Sequence, residues 1–322
     1  MLEFEVLMFG PRYVGKTSLL TSMYYEYDRE INQTSIQLTP DFDTASTLGE
    51  RLGELKALND EFKLEEELRE GGIPATAQPR AFVFNIGRKG KPPKLKLTLW
   101  DCPGGYLVDK GEKKGQEFIK EHLSKSIAVL IAVDAPALME ANGKWHFQRN
   151  RPIEVKAWFE QIYGSLNSNR LLIIAPIKCE SYMKDEQSKR KLLARIKDEY
   201  KGLLQLFNSE SLRQKVAVVV TSVQTVGNVF FSSIQVDNGQ SKFVFKKPEI
   251  DAGYSPKDNE QPLKYLLRFL LKNYLQKRRF GVIADLFGKD EFLYEAVRQL
   301  AKDCKTNSGF EIIQGKNLFY MD

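Results

Sequence analysis

The sequence predicts an α/β fold: a mostly parallel sheet with helices on both faces and one antiparallel edge strand. Three observations carry that prediction. Strand and helix patterns alternate through roughly the first 220 residues. Segments 127–133, 171–175 and 216–220 are nearly continuous apolar runs, as parallel strands covered on both faces require. Residues 82–86 and 95–99 instead alternate apolar with polar across a short link, the mark of an antiparallel hairpin with one wetter face.

The elements follow in chain order. The apolar run 3–9 reads as a strand leading into a glycine loop and a helix near 16–27. A helical pattern near 45–70 carries Leu48, Leu52, Leu55, Leu58 and Phe62 at spacings of three and four. The hairpin strands hold Phe82, Phe84 and Ile86, then Leu95, Leu97 and Leu99. Helices near 116–125, 153–165 and 186–207 separate the later strands and supply the crossovers that parallel pairing needs.

After residue 225 the pattern changes. Two runs, 229–236 and 242–245, flank Asp237-Asn238-Gly239, a hairpin turn signal. Helical patterns near 263–279 and 289–304 follow a proline-containing loop, and residues 310–320 read as a short hairpin around Gly315. This organisation divides the chain at about 1–225, a body with a helical insertion near 45–70, and 226–322, a C-terminal hairpin and helices packed against it.

Composition narrows the function classes. Three cysteines without paired spacing argue against a disulfide framework or a four-ligand zinc site and favour a reducing cytoplasm. The N-terminal run is a strand, not a signal peptide, and no segment has the roughly 18 uncharged apolar residues of a membrane span. A net charge of +6, from 48 basic and 42 acidic residues, leaves nucleic acid without specific support.

Gly10-Pro11-Arg12-Tyr13-Val14-Gly15-Lys16-Thr17 matches a phosphate-binding P-loop at every fixed position and lies between a strand and a helix. The two glycines let backbone N–H groups converge on phosphate oxygens. Lys16 supplies a charge for the β- and γ-phosphates and the Thr17 hydroxyl can hold magnesium. Thr17 and Ser18 open a helix whose positive dipole end adds to the cradle. Asp101 ends the strand 95–101 and is followed by Cys102-Pro103-Gly104. A carboxylate there can hold magnesium through its water shell, and Gly104 can give an N–H to a γ-phosphate and pivot when it leaves.

These two motifs and the hairpin leading into the second resemble GTPases of the Ras-like, translation-factor-related class, which implies a P-loop NTPase fold and GTP or GDP with Mg2+. That class closes a threonine over magnesium. Thr76, just before the strand at 81–86, is the best match, with Thr34, Thr39 and Thr44 as competitors. Its base-recognition motif is Asn-Lys-x-Asp. Here Ile177-Lys178-Cys179-Glu180 stands at the end of the strand 171–175. Lys178 can pack on the base and Glu180 can accept from guanine's donor pair, which adenine lacks. Ile177 departs from the pattern in losing a polar brace, and Glu180 in being one methylene longer. Thr221-Ser222-Val223 resembles the final motif, whose backbone supports the base.

In the same class a glutamine after Asp-x-x-Gly orients the attacking water. Gly105 and Tyr106 stand there and cannot, so slow or partner-assisted hydrolysis is expected. Arg12 and Arg80 are the nearby charges that could act in cis. His122 and His146 read as structural. The motif spellings Asp-Cys-Pro-Gly and Pro-x-Lys-Cys-Glu loosely resemble GTPase domains encoded with bacterial conflict systems. The resulting expectation is a GTP-hydrolysing switch acting through a protein partner or self-association, with Lys16, Thr76 and Gly104 serving hydrolysis. A P-loop ATPase or nucleotide kinase, and a nucleotide-stabilised assembly module with little turnover, are the alternatives. The basic hairpin 88–96 reads as a charged edge that discourages strand-to-strand aggregation, or as an anionic partner's surface.

Overall fold

Eight strands form the main sheet, in the order β11-β8-β7-β6-β1-β5-β4-β2. The computed structural model describes residues 1–30, 36–61, 68–69, 78–107, 113–237, 240–249, 251–279, 291–307 and 309–320. In chain order, β1 (Leu2–Phe9), α1 (Lys16–Glu30), β2 (Ile36–Pro40), α2 (Phe42–Glu61) and the two-residue β3 (Leu68–Arg69) come first. They precede β4 (Arg80–Arg88), β5 (Leu95–Asp101), α3 (Lys113–Lys125) and β6 (Ala128–Asp134). Then come α4 (Ala135–Met139), α5 (His146–Asn150), α6 (Pro152–Ile162), β7 (Arg170–Ile177), α7 (Glu186–Glu199), α8 (Lys201–Phe207) and β8 (Val216–Thr221). The last part holds β9 (Phe230–Asp237), β10 (Gln240–Lys246), α9 (Gln261–Arg279), α10 (Glu291–Asp303) and β11 (Phe310–Gln314).

Strand alternation builds two cores from one sheet. Phe4, Val6 and Met8 of β1 enter the core beneath α1, α9 and α10, whereas Leu7 and Phe9 enter the core beneath α3, α6, α7 and α8. In β6, Leu130 and Ala132 take the first side and Val129, Ile131 and Val133 the second. This is why the central strands read as continuous apolar runs, every residue of β6 being buried. β5 sits nearer an edge, so Leu95, Leu97 and Leu99 are buried while Lys96, Thr98 and Trp100 stay partly accessible.

The parallel core β5-β1-β6-β7-β8 and the reversed β4 follow the sequence expectation. The structure adds β2 outside β4, and a further reversed strand, β11, outside β8. The expected tail hairpin does not form. Phe310 and Ile312 bury against β8, and the chain then turns at Gly315 into a short 3-10 turn, Lys316–Leu318. Gly315 has φ +72°, and a Cβ there would lie 2.7 Å from Ala217 Cα, so only glycine fits the turn.

The segment after 225 is thus woven into the body rather than set beside it. β8 is followed by the β9–β10 hairpin, which with β3 makes a second, three-stranded sheet, before α9 returns to the face that α1 covers. The turn residues Asn238 and Gly239 lie outside the described residues. The helix expected near 45–70 is α2, ending at Glu61; residues 62–67 and 70 lie outside the described residues, and Leu68–Arg69 are not helical but form β3, paired with β10. α2 is fastened to the sheet: Asp41 Oδ1 accepts the Thr44 amide at 2.9 Å, and Thr44 Oγ1 accepts the Val83 amide at 2.8 Å. Thr44 is therefore committed to α2 and β4.

Candidate functional site

The carboxyl ends of β1, β5, β6, β7 and β8 meet at one edge of the sheet, where open α/β folds bind ligands. The basic hairpin between β4 and β5 lies at the opposite end, because Leu2, the start of β1, pairs with Leu95.

Gly10 leaves β1 with φ +146°, and a Cβ there would stand 3.1 Å from the Ala132 carbonyl oxygen. Gly15 has φ +101° and faces the Ile177 side chain, so an apolar contact replaces the polar brace that the sequence lacks. Between them Pro11 and Val14 are buried, while Arg12 and Tyr13 are exposed. Tyr13 adopts φ +62°, an unusual conformation for a bulky residue. Lys16 opens α1 and is only 7% exposed. Its ammonium donates to the carbonyls of Gly10 at 2.9 Å and Pro11 at 3.0 Å, which poises it over the loop. Burial pushes its pKa down, and the neighbouring Asp101 and Cys102 partly oppose that.

Across the loop, Asp101 ends β5 with no exposed surface. The Thr17 hydroxyl donates to Asp101 Oδ2 at 2.5 Å, bringing together the two residues that the sequence assigns to magnesium. A hydroxyl and a carboxylate are hard oxygen donors, and at a phosphate loop this donor set fits magnesium. Burial raises the Cys102 thiol to about 12, so it stays a neutral packing group. Gly104 sits so close to the P-loop that a Cβ would overlap the Arg12 amide nitrogen and the Pro11 carbonyl carbon. Thr76 and Thr34 lie outside the described residues, and Thr39 belongs to β2.

The carboxyl ends of β6 and β7 hold residues that sequence reasoning missed. Lys178 also has positive φ, +58°. Its ammonium pairs with Asp134 Oδ2 at 2.7 Å, stands 3.5 Å from the Tyr13 carbonyl oxygen and lies 5.6 Å from the Phe245 ring centre. Asp134 is 3% exposed at its side chain, and its other oxygen caps α4 by accepting the Ala137 amide at 2.9 Å. Asn150 clamps the backbone of Asp134 through two hydrogen bonds, 2.7 and 3.1 Å. The signal was a charged residue directly after an apolar run, with Pro136 next but one, an N-cap pattern.

Glu180 is 4% exposed. Its Oε1 accepts the Val226 and Gly227 amides at 2.9 and 3.1 Å, so it braces the loop entering the β9–β10 hairpin. Burial raises its pKa, against the pull of these amides and Lys178. Ser222 is buried with its amide donating to Gly309 O at 3.3 Å. The tie between the loops that follow β7 and β8 comes instead from Val223, whose N–H donates to Pro176 O at 2.9 Å and whose carbonyl accepts from the Cys179 N–H at 3.1 Å.

Both histidines have structural partners. His122 bonds Glu5 at 3.1 Å and packs on Trp100 and Phe118. His146 Nδ1 lies 3.0 Å from Asn150 Nδ2. Asn150 Oδ1 takes the Asp134 amide, so its NH2 must face the ring, and the ring accepts as neutral imidazole. Burial and nearby Arg195 lower its pKa from 6.5 to about 4. Unfolded chains therefore bind more protons between those values. The stabilisation is complete above pH 6.5 and is lost as pH falls towards 4. Urea unfolding at pH 7 and 4.5 should show wild type losing about 2 kcal/mol more than His146→Gln. Equal losses in the two proteins would refute the neutral, buried assignment.

Among the described residues no cluster of His, Cys, Asp and Glu could hold a metal as a set of three or more, and no helix is long and apolar enough to cross a membrane. No protein-family model matches the chain, and no curated protein matches it. Solved structures with similarity include the signal recognition particle receptor SRb-GTP/SRX complex from Chaetomium thermophilum, at 19% identity and TM-score 0.35, covering 70% of this chain and 91% of that one. The S. cerevisiae Ski7 GTPase-like domain bound to GTP is similar at 16% identity and TM-score 0.40, covering 69% of this chain. The same domain bound to GDP and inorganic phosphate is similar at 16% identity and TM-score 0.35. The chain spans 43% of the length of either Ski7 chain.

Proposed function

We infer that the protein binds GTP and hydrolyses it to GDP and phosphate, and that the nucleotide state controls contacts with a protein partner or a second copy of the chain. The observation that supports this best is the assembled phosphate site: Lys16 poised on the loop carbonyls, with Thr17 and Asp101 joined beside it. Thr17 and Asp101 would hold Mg2+, which when bound neutralises phosphate charge. Lys16 places its ammonium on the β- and γ-phosphates, and the loop amides and the start of α1 orient them. Gly104, seated on the P-loop, offers its N–H where a γ-phosphate would lie and can move away when that phosphate leaves. Thr76 is the proposed closing threonine.

On the base side, the stem of Lys178 supports the ring while Asp134 and the Tyr13 carbonyl fix its head. The carboxylate of Glu180 reads guanine's N–H and amino group, and the strand end at Ser222 lines the same side. A second reading, a P-loop ATPase, draws on one observation: Glu180 already holds the Val226 and Gly227 amides. Calorimetry with GDP and ADP separates the two. Guanine nucleotide should bind at least about tenfold more tightly, and Glu180→Gln should narrow that gap, because unpaired polar groups carry the discrimination. Equal affinity for both nucleotides in the wild-type protein would defeat the guanine assignment and favour the ATPase.

A further inference from the structure

We propose that Arg12 is the built-in positive charge for phosphoryl transfer, and that Gly105 is glycine in order to seat it. This rests on the hydrolytic reading above and names the group that the missing glutamine leaves open.

Two contacts lock the 103–105 loop to the P-loop. Gly104 lies against the Pro11–Arg12 backbone. At Gly105 the neighbour is the Arg12 guanidinium: a Cβ built there would stand 2.8 Å from Nε and 2.9 Å from Cζ. Gly105 is buried under that group. A side chain at 105 and the observed position of Arg12 therefore exclude each other. The residue that would orient water is absent because a planar cation occupies its space. Arg80, the other candidate charge, begins β4 in register with Asp101 and is exposed as Arg12 is, but among the described residues no glycine makes room for it. The structure thus separates two arginines that the sequence leaves equivalent.

The chemistry suits a guanidinium. Water oxygen bonds to the γ-phosphorus, and the bond from that phosphorus to the β–γ bridging oxygen breaks. The bridging oxygen leaves with the electron pair on GDP, and the proton released by water ends on inorganic phosphate. Arg12 takes no proton in this scheme. It stabilises charge on the γ-oxygens and the leaving oxygen, with two parallel N–H donors that a lysine cannot offer. An arginine so placed is worth a large share of hydrolytic rate in other nucleotide switches.

The test measures single-turnover hydrolysis of GTP with Mg2+, and affinity for a non-hydrolysable GTP analogue, on the full chain. Arg12→Ala should slow hydrolysis at least about a hundredfold while affinity changes less than about tenfold. Arg12→Lys should not restore the rate. Gly105→Ala, which displaces the guanidinium, should show a similar loss, and the double variant Arg12→Ala/Gly105→Ala no further loss. Wild-type hydrolysis in Arg12→Ala, or losses that multiply in the double variant, would overturn the proposal while sparing the hydrolytic reading. Wild-type protein that binds the analogue without turning GTP over would overturn it and leave only the binding half of that reading. Wild-type protein that binds no GTP would remove both.

Discussion

Lys16→Ala should raise the dissociation constant for magnesium GTP at least about a hundredfold, since charge-assisted phosphate contacts are each worth about 1.5–3 kcal/mol. Lys16 is 7% exposed and its ammonium is held by two loop carbonyls, so it would reach the phosphates without having to be ordered first. Its removal leaves the Gly10 and Pro11 carbonyls at the mouth of the loop, where water can replace it. The fold should therefore survive, with an unchanged circular dichroism spectrum and a denaturation midpoint near wild type. Thr17→Ala should behave differently, because its hydroxyl faces Asp101 rather than the loop carbonyls. It should weaken binding when magnesium is present and change little in a chelator. Calorimetry on the two variants, with and without magnesium, reads both effects. A well-folded Lys16→Ala protein with wild-type affinity would show that this loop does not hold phosphate.

Gly104→Ala should be a damaging small substitution at the phosphate end of the site. The added methyl overlaps backbone atoms of Pro11 and Arg12 and stands 2.6 Å from Arg12 Cα, so no side-chain rotation relieves it. Either the P-loop or the 102–105 turn must shift. Overpacking of this kind costs about 1–3 kcal/mol, and here it also separates the elements that carry Lys16 and Asp101. Urea unfolding should show a lowered midpoint, and nucleotide affinity should fall with it. Gly105→Ala is the control, because its methyl meets only the movable end of Arg12, and stability should change by less than about 1 kcal/mol. Equal midpoints and equal nucleotide affinities for wild type and Gly104→Ala would mean that the two loops are not packed together in solution.

The glycine loop and the strands were legible because their signals are local. Eight consecutive residues, 10–17, spell the loop, and each central strand announces its double burial by being apolar throughout. Asp101 was legible for the same reason, as a charge ending such a run. Glu180 was legible as a residue at the site's edge but not in its contacts, because the Val226 and Gly227 amides that it holds lie 46 and 47 positions away. Asp134 was passed over because its partner Lys178 is 44 positions away and only the parallel register of β6 with β7 brings the two together.

The sequence by itself determined the fold class, the position of the glycine loop and the expectation that Lys16, Thr17 and Asp101 serve one phosphate-and-magnesium chemistry. Each follows from residue type and spacing along a few turns of chain. Tertiary structure alone decided which edge β11 joins, since Phe310 and Ile312 suit any partner that buries them. It alone fastened α2 to β4 through Thr44 and wove the β9–β10 hairpin between β8 and α9. It also made the space beside Gly105 that the Arg12 guanidinium takes up, because a residue's charge is written in the chain, but that space exists only once two distant loops have packed.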